Sequence, residues 1–256
     1  MARRQLTMYI DDIDILQFDI KVIDYEIPSY PKRKNTGVNI PGAHGTKLVP
    51  STLASSTLIA NVVCSGNTPE SVNTKIREFF AFMYTTSDPH KIVFSDDDTV
   101  VRYAILDAPE SYRVMSGVDN AMAELVLTFF MADPFTYNAD ASSISEDTPS
   151  GVSLIIPNES FECPAVFTIR NLGNKGVSEI TFSVNGEVAR FLCELRTGDT
   201  LVMDTENYEV YYNGTPRLDY WQGEMPVLQS GNNVIVQQNK QNASLSVSVQ
   251  FTKRWV

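Results

Sequence analysis

The sequence predicts a mainly β protein with one helix, arranged as an α+β domain followed by an all-β sandwich. Three observations carry this. Most of the chain shows the period-two alternation and β-branched or aromatic enrichment of strands. A single stretch, around residues 69–84, repeats its apolar residues at helical spacing. A strong strand at 124–132 is stopped by Asp133-Pro134, and the polar, acidic run ADASSISEDTPS follows it. A strand, a stop and a solvated spacer mark a domain end. The expected organisation is therefore a first domain at 1–138, a linker at 139–150 and a second domain at 151–256.

Length and composition agree with two packed cores. The chain has 256 residues, 43% of them hydrophobic and 10% aromatic, which is enough to bury two medium cores. A net charge of -11 is opposed to a phosphate backbone, so no nucleic-acid partner is expected. No run approaches the roughly 18 apolar residues of a membrane span, so no membrane partner is expected either. The N-terminus lacks the apolar core of a secretory signal. Cys64, Cys163 and Cys193 are too widely spaced for a metal pair and are expected to be free, mostly buried thiols.

In chain order, residues 6–27 carry two or three short strands whose isoleucines and valines alternate with aspartates 11, 12, 14, 19 and 24. Those aspartates read as a solvated strand face, because no glycine-containing calcium turn accompanies them. Residues 30–50 change character: rich in Pro, Gly and Asn, they carry the basic run Lys32, Arg33 and Lys34 in an acidic protein. A loop of this kind is either an arm that reaches an acidic neighbour or an exposed hairpin. Pro41, Gly42 and His44 at its far end join the basic run as candidate partner contacts. Residues 52–64 resume a strand. Thr68-Pro69 then starts the helix, as N-cap and first helical residue, and Val72, Ile76, Phe79, Phe80 and Met83 form its apolar face. Asp88-Pro89 is expected to end it. Residues 91–94 and 100–106 read as a hairpin across an acidic turn at 95–98, and 112–114 and 122–131 complete the domain.

In the second domain strands are expected at 165–170, 179–184, 188–195, 200–203, 209–212, 233–237 and 245–251. Asn185-Gly186 and Asn213-Gly214 are two-residue hairpin turns, since both central positions need positive φ. Such spacing suggests a two-sheet sandwich. Tyr220 and Trp221 are the candidate platform on which a sugar ring could stack; the competing reading has them covering a sheet edge.

Catalytic chemistry is missing. There is no glycine-rich phosphate loop, no CxxC, no histidine cluster and no G-x-S-x-G elbow. The two histidines, His44 and His90, both precede the spacer. No catalytic residue, metal site or cofactor is expected.

Taken in order, the parts resemble the distal tail protein (Dit) family of long-tailed phages, chiefly those of Gram-positive hosts. The resemblance is carried by the opening strands and the glycine loop at Gly37, Gly42 and Gly45, then by the helix VNTKIREFFAFMY and the hairpin IVFSDDDTVVRYAIL. It continues through LTFFMADPFTY and the later runs LRTGDTLVMD, VYYNG and LQSGNNVI. It spans nearly the whole chain. It implies a non-catalytic virion protein, assembled in the host cytoplasm and placed at the tail tip. The first domain would form a ring, as a homo-hexamer between the tail-tube protein and the tail-tip (tail-associated) protein. The second would be a galectin-like β-sandwich, in some members touching a receptor-binding protein or host-surface saccharide. The chain departs from true galectins in one respect: no histidine lies beyond His90, so their histidine-asparagine-arginine sugar site is missing. The alternative class is a carbohydrate-binding module of a virion or cell-wall protein.

Overall fold

The structure, a computed structural model, describes residues 6–27, 30–42, 44–107, 111–117, 120–149, 153–238 and 244–256. The chain divides into two compact units at Thr136/Tyr137, with Val256 counted in the first.

The first unit is built on β1 (Met8–Ile10), β2 (Ile13–Asp14), β3 (Ile20–Glu26), β4 (Arg33–Asn39), β5 (Thr46–Leu53), β6 (Ser56–Gly66), helix α1 (Pro69–Met83), β7 (His90–Phe94), β8 (Asp97–Asp107), β9 (Arg113–Ser116) and β10 (Ala121–Met131). The main sheet runs β2-β1-β7-β8-β10-β6-β3, with β9 on β10. Its longest ladder is β10 on β6, antiparallel from Ala121↔Gly66 to Met131↔Ser56. Along β10 every second residue is buried, from Ala121 to Met131. This alternation is what a sheet with one covered face requires. The cover is α1. Its N-cap Thr68 is extended (φ -136, ψ 156) and accepts a 3.2 Å hydrogen bond from the Ser71 N–H. Val72, Ile76, Phe79 and Met83 are buried on one helix face, each worth roughly 2 kcal/mol relative to exposure.

The opening aspartates do more than solvate a strand. Asp11 and Asp12, both at positive φ, make the two-residue turn between β1 and β2. Asp14 caps a 3-10 turn at Ile15–Phe18 by accepting from the Leu16 N–H, and Asp19 closes it in the left-handed region. Short polar side chains tolerate that region and bond to nearby backbone, so a stretch read as strand becomes turn and cap. The helix also ends earlier than Asp88-Pro89, at Met83, with Tyr84 as cap. The acidic hairpin turn is tighter than expected: Phe94 pairs with Asp97, which leaves only Ser95 and Asp96 at its tip.

Strand β11 (Thr136–Asn138) begins at the division, and the second unit continues with β12 (Ser142–Pro149), β13 (Ser153–Asn158), β14 (Val166–Asn171), β15 (Ile180–Val184), β16 (Glu187–Phe191), β17 (Thr200–Asp204), β18 (Glu209–Tyr212), β19 (Thr215–Pro216), β20 (Trp221–Gln222), β21 (Gly231–Gln237), β22 (Ser244–Phe251) and β23 (Arg254–Trp255). Two sheets, β12-β22-β14-β17-β18-β19 and β13-β21-β15-β16-β20, enclose a core that includes Phe167, Phe182, Phe191, Leu201, Met203 and Val249. This is the sandwich the strand spacing suggested. Both Asn-Gly turns are of the expected kind, with positive φ at Asn185, Gly186, Asn213 and Gly214.

One expectation is corrected. The polar run read as a solvated linker at 139–150 contains β12, which pairs with β22 from Ser142↔Phe251 to Pro149↔Ser244. It is an edge strand with a neighbour on one side only. Such a strand needs little apolar alternation and tolerates proline, so it leaves no hydrophobic signature beyond Ile144, which packs on the core. Strand β13 is also at an edge and carries Pro157, for the same reason.

Candidate functional site

The basic segment of the first unit is a two-stranded ribbon. Strands β4 and β5 pair with each other, from Arg33↔Leu53 to Asn39↔Thr46, and among the described residues with no other strand. The Ala54 N–H donates to the Lys32 carbonyl (2.8 Å) at the base. At the tip, Gly42 and Gly45 take φ of 83 and 85, which a side chain would strain. Seven residues of extended chain give the ribbon a reach of roughly 20 Å. Lys32, Arg33, Lys34, Pro41, Gly42 and His44 are all exposed on it, as are Val38 and Ile40. Residues 30–53 include four basic residues and no acidic one. A hairpin alone is marginal in water, so its charge and its exposed apolar residues are suited to an acidic, partly apolar surface. Sequence reasoning found the loop and its charge but left open whether it was arm or hairpin; the structure gives a two-stranded hairpin.

A second surface was not anticipated. The uncovered face of β10 presents Met122, Val126 and Phe130, at 40%, 52% and 39% exposure, and Met115 of β9 lies opposite Met122. Glu124 and Thr128 separate them along the strand, so this face mixes apolar and polar side chains. The alternation along β10 contained the signal, since its outward positions are not uniformly polar.

Tyr220 and Trp221 lie against the sandwich core rather than standing free. The Tyr220 ring meets Phe191 edge-on at 6.0 Å, and the Arg217 guanidinium sits 5.4 Å from its centroid. The Trp221 ring is 5.9 Å from Phe182, and its Nε1–H donates to the Gly223 carbonyl at 3.0 Å. Gly223 is held at φ 109, and a Cβ there would lie 2.8 Å from the Val188 carbonyl oxygen. Both rings are half-buried, and Trp221 pairs with Phe191 at the end of β16.

No group of three or more His, Cys, Asp or Glu side chains converges on a metal position among the described residues. Burial pushes the Cys64 and Cys163 thiols up, away from the reactive thiolate. His90 is buried and spans two elements, with Nδ1 2.6 Å from Asp11 Oδ2 and Nε2 2.9 Å from the Met83 carbonyl oxygen. Both contacts tie the β1–β2 turn and the helix end to β7, which is a structural task.

Comparison with known proteins places these two units. Residues 17–131 match the phage tail protein RIFT-related domain, and residues 160–255 match the siphovirus-type tail component, C-terminal domain. The fold is similar to the crystal structure of the Dit protein of phage SPP1, described as a paradigm of the hub adsorption apparatus in phages infecting Gram-positive hosts. The TM-score is 0.78 at 15% identity, over 99% of this chain and 100% of that one. A weaker similarity, at TM-score 0.49 and 9% identity, links 98% of the chain to 99% of a chain in the activated baseplate of phage P2 with calcium. No curated protein sequence matches the chain significantly. The two domains together define a structural component of a phage tail. The chain belongs to the siphovirus distal tail (Dit) protein family.

Proposed function

We propose that this protein is the distal tail hub of a siphovirus: a non-catalytic ring, six copies around, that joins the tail tube to the tail-tip protein. The observation that carries the reading is the β4–β5 ribbon. It is a basic arm, paired only with itself among the described strands, on a chain of net charge -11. An arm with Lys32, Arg33, Lys34 and His44 on one copy and an acidic body on the next is a heterologous contact. Such contacts close into a ring when the rotation permits. Pro41 and Gly42 at the tip meet the neighbour, and the exposed Met122, Val126 and Phe130 row supplies further apolar area to cover on assembly. The tail-tube and tail-tip proteins occupy the two ring faces, and the second unit is the outward module that a receptor-binding protein would meet.

The test is charge reversal in the arm. Lys32→Glu, Arg33→Glu and Lys34→Glu together should leave the circular dichroism of the monomer unchanged and abolish rings in negative-stain images. A triple variant that forms rings as readily as the parent removes the arm from the interface.

A further inference from the structure

We propose that the second unit carries a receptor site for an arginine side chain presented by a protein partner, on the outer face of the β12-containing sheet. The observation is a cavity of about 250 Å³ lined by Tyr137, Asp204, Glu206, Gln250 and Phe251 with the backbone around Pro164–Val166. The topology explains why these residues meet. Strand β14 lies between β17 and β22, and Val166 pairs with Asp204 on one side and Gln250 on the other. The cross-strand row Asp204–Val166–Gln250 therefore sets two polar side chains roughly 10 Å apart, with a smaller residue between them. Tyr137 adds an aromatic ring and a phenol hydroxyl to the lining, and Glu206 stands on the turn after β17.

The chemistry of the lining selects the occupant. The Asp204 carboxylate is locked in place by the N–H groups of Glu206 (3.0 Å) and Asn207 (3.2 Å) and by the Asn207 amide (2.8 Å). The Glu206 carboxylate, exposed beside it, has no partner among the described residues. No Lys, Arg or His lines the cavity, so two carboxylates face it without an internal cation. The Glu206 carboxylate is the charge left unpaired, beside the Gln250 amide and the hydroxyls of Tyr137 and Thr252, so the lining is negative overall. A neutral saccharide leaves this negative lining uncompensated. A guanidinium, with five donors and no acceptor, matches it well. It also makes planar two-point contacts with carboxylates and lies against aromatic rings, which an ammonium does less effectively.

The probe is N-acetylarginine methylamide, followed by saturation-transfer NMR on the full-length protein. Its side-chain methylenes should receive saturation. Glu206→Gln should weaken binding by roughly threefold, as for an exposed charge pair, and Ala141→Trp, at the rim of the cavity, should abolish it. Both residues are exposed, and unchanged circular dichroism verifies each variant; if Ala141→Trp perturbs the fold, Glu206→Gln decides alone. Equal transfer to the uncharged N-acetylcitrulline methylamide overturns the assignment, as does arginine binding indifferent to Glu206→Gln. An N-acetylglucosamine trisaccharide that binds in a Glu206-dependent way while the arginine probe does not overturns it in favour of sugar. Ring formation and arginine binding are separate readouts, so failure of either leaves the other standing.

Discussion

Replacing Gln237 by methionine should stabilise the second unit. Gln237 is 4% exposed, and among the described residues neither its Nε2 nor its Oε1 has a hydrogen-bond partner. Its surroundings are the apolar Phe167, Ile169, Ile180, Phe182, Ile235, Leu245 and Val247, around a gap of about 10 Å³. A buried polar group left unpaired costs about 1–3 kcal/mol, and methionine keeps the length and flexibility while removing both groups. Allowing for imperfect repacking, the expected gain is about 1–2 kcal/mol, on the order of 5 °C for a domain of this size. Differential scanning calorimetry measures it, provided that the transition of the second unit is followed separately, because a two-unit chain need not melt in one step. Hydrogen exchange at β14 and β22 amides is the complementary readout. The control is Gln237→Ala, which removes the same groups but enlarges the gap and should destabilise. A loss of 1 kcal/mol or more in Gln237→Met would refute the reasoning, since it would mean that the amide holds a partner such as an ordered water.

Three further substitutions give outcomes of known sign. Asn158, fully buried, accepts from the Ser160 N–H and hydroxyl and offers its amide to the carbonyls of Phe161, Leu228 and Gln229. Asn158→Ala should cost about 3 kcal/mol in chemical denaturation, and an effect below 1 kcal/mol contradicts that role. Gly223→Ala forces a Cβ against a backbone oxygen at a positive φ, so it should lower the melting temperature and shift Trp221 fluorescence, whereas a neutral variant would show the turn can relax. Tyr212 is pushed up to about 12 by its hydrogen bond to Asp199 and then by burial; burial first, then the bond to Asp96, does the same for Tyr25. The fold thus holds both phenols protonated: their contribution is full below pH 10, the ordinary phenol value, and is lost as pH rises towards 12. Tyr212→Phe should flatten the loss of stability between pH 10 and 12, and an unchanged alkaline slope would count against the assignment.

Legibility in the sequence followed how each residue is used. Strands with one covered face were readable because burial forces alternation, as along β10, and the Asn-Gly turns were readable because only φ > 0 fits there. The helix start was readable from Thr68-Pro69, but its end was not, because Tyr84 is a cap without a residue signature. The edge strands β12 and β13 escaped notice for lack of a second neighbour to impose a pattern. Asn158, Asn171 and Asn233, each fully buried and bonded to distant backbone, look in sequence like ordinary turn asparagines. At the candidate surfaces the charge of the ribbon was visible in composition. The cavity beside Asp204 was not, because it depends on the three-strand row that brings Val166, Asp204 and Gln250 together.

The most direct test of the hub assignment is the mass of the purified full-length protein, measured by light scattering across a concentration series at low and high salt. A hub ring predicts a species of about 170 kDa, six times the 28.6 kDa chain, that is weakened by salt and absent when Lys32, Arg33 and Lys34 are reversed to glutamate. A 28.6 kDa monomer at every concentration, which also fails to form rings when mixed with the tail-tube and tail-tip proteins of the same phage, would contradict it.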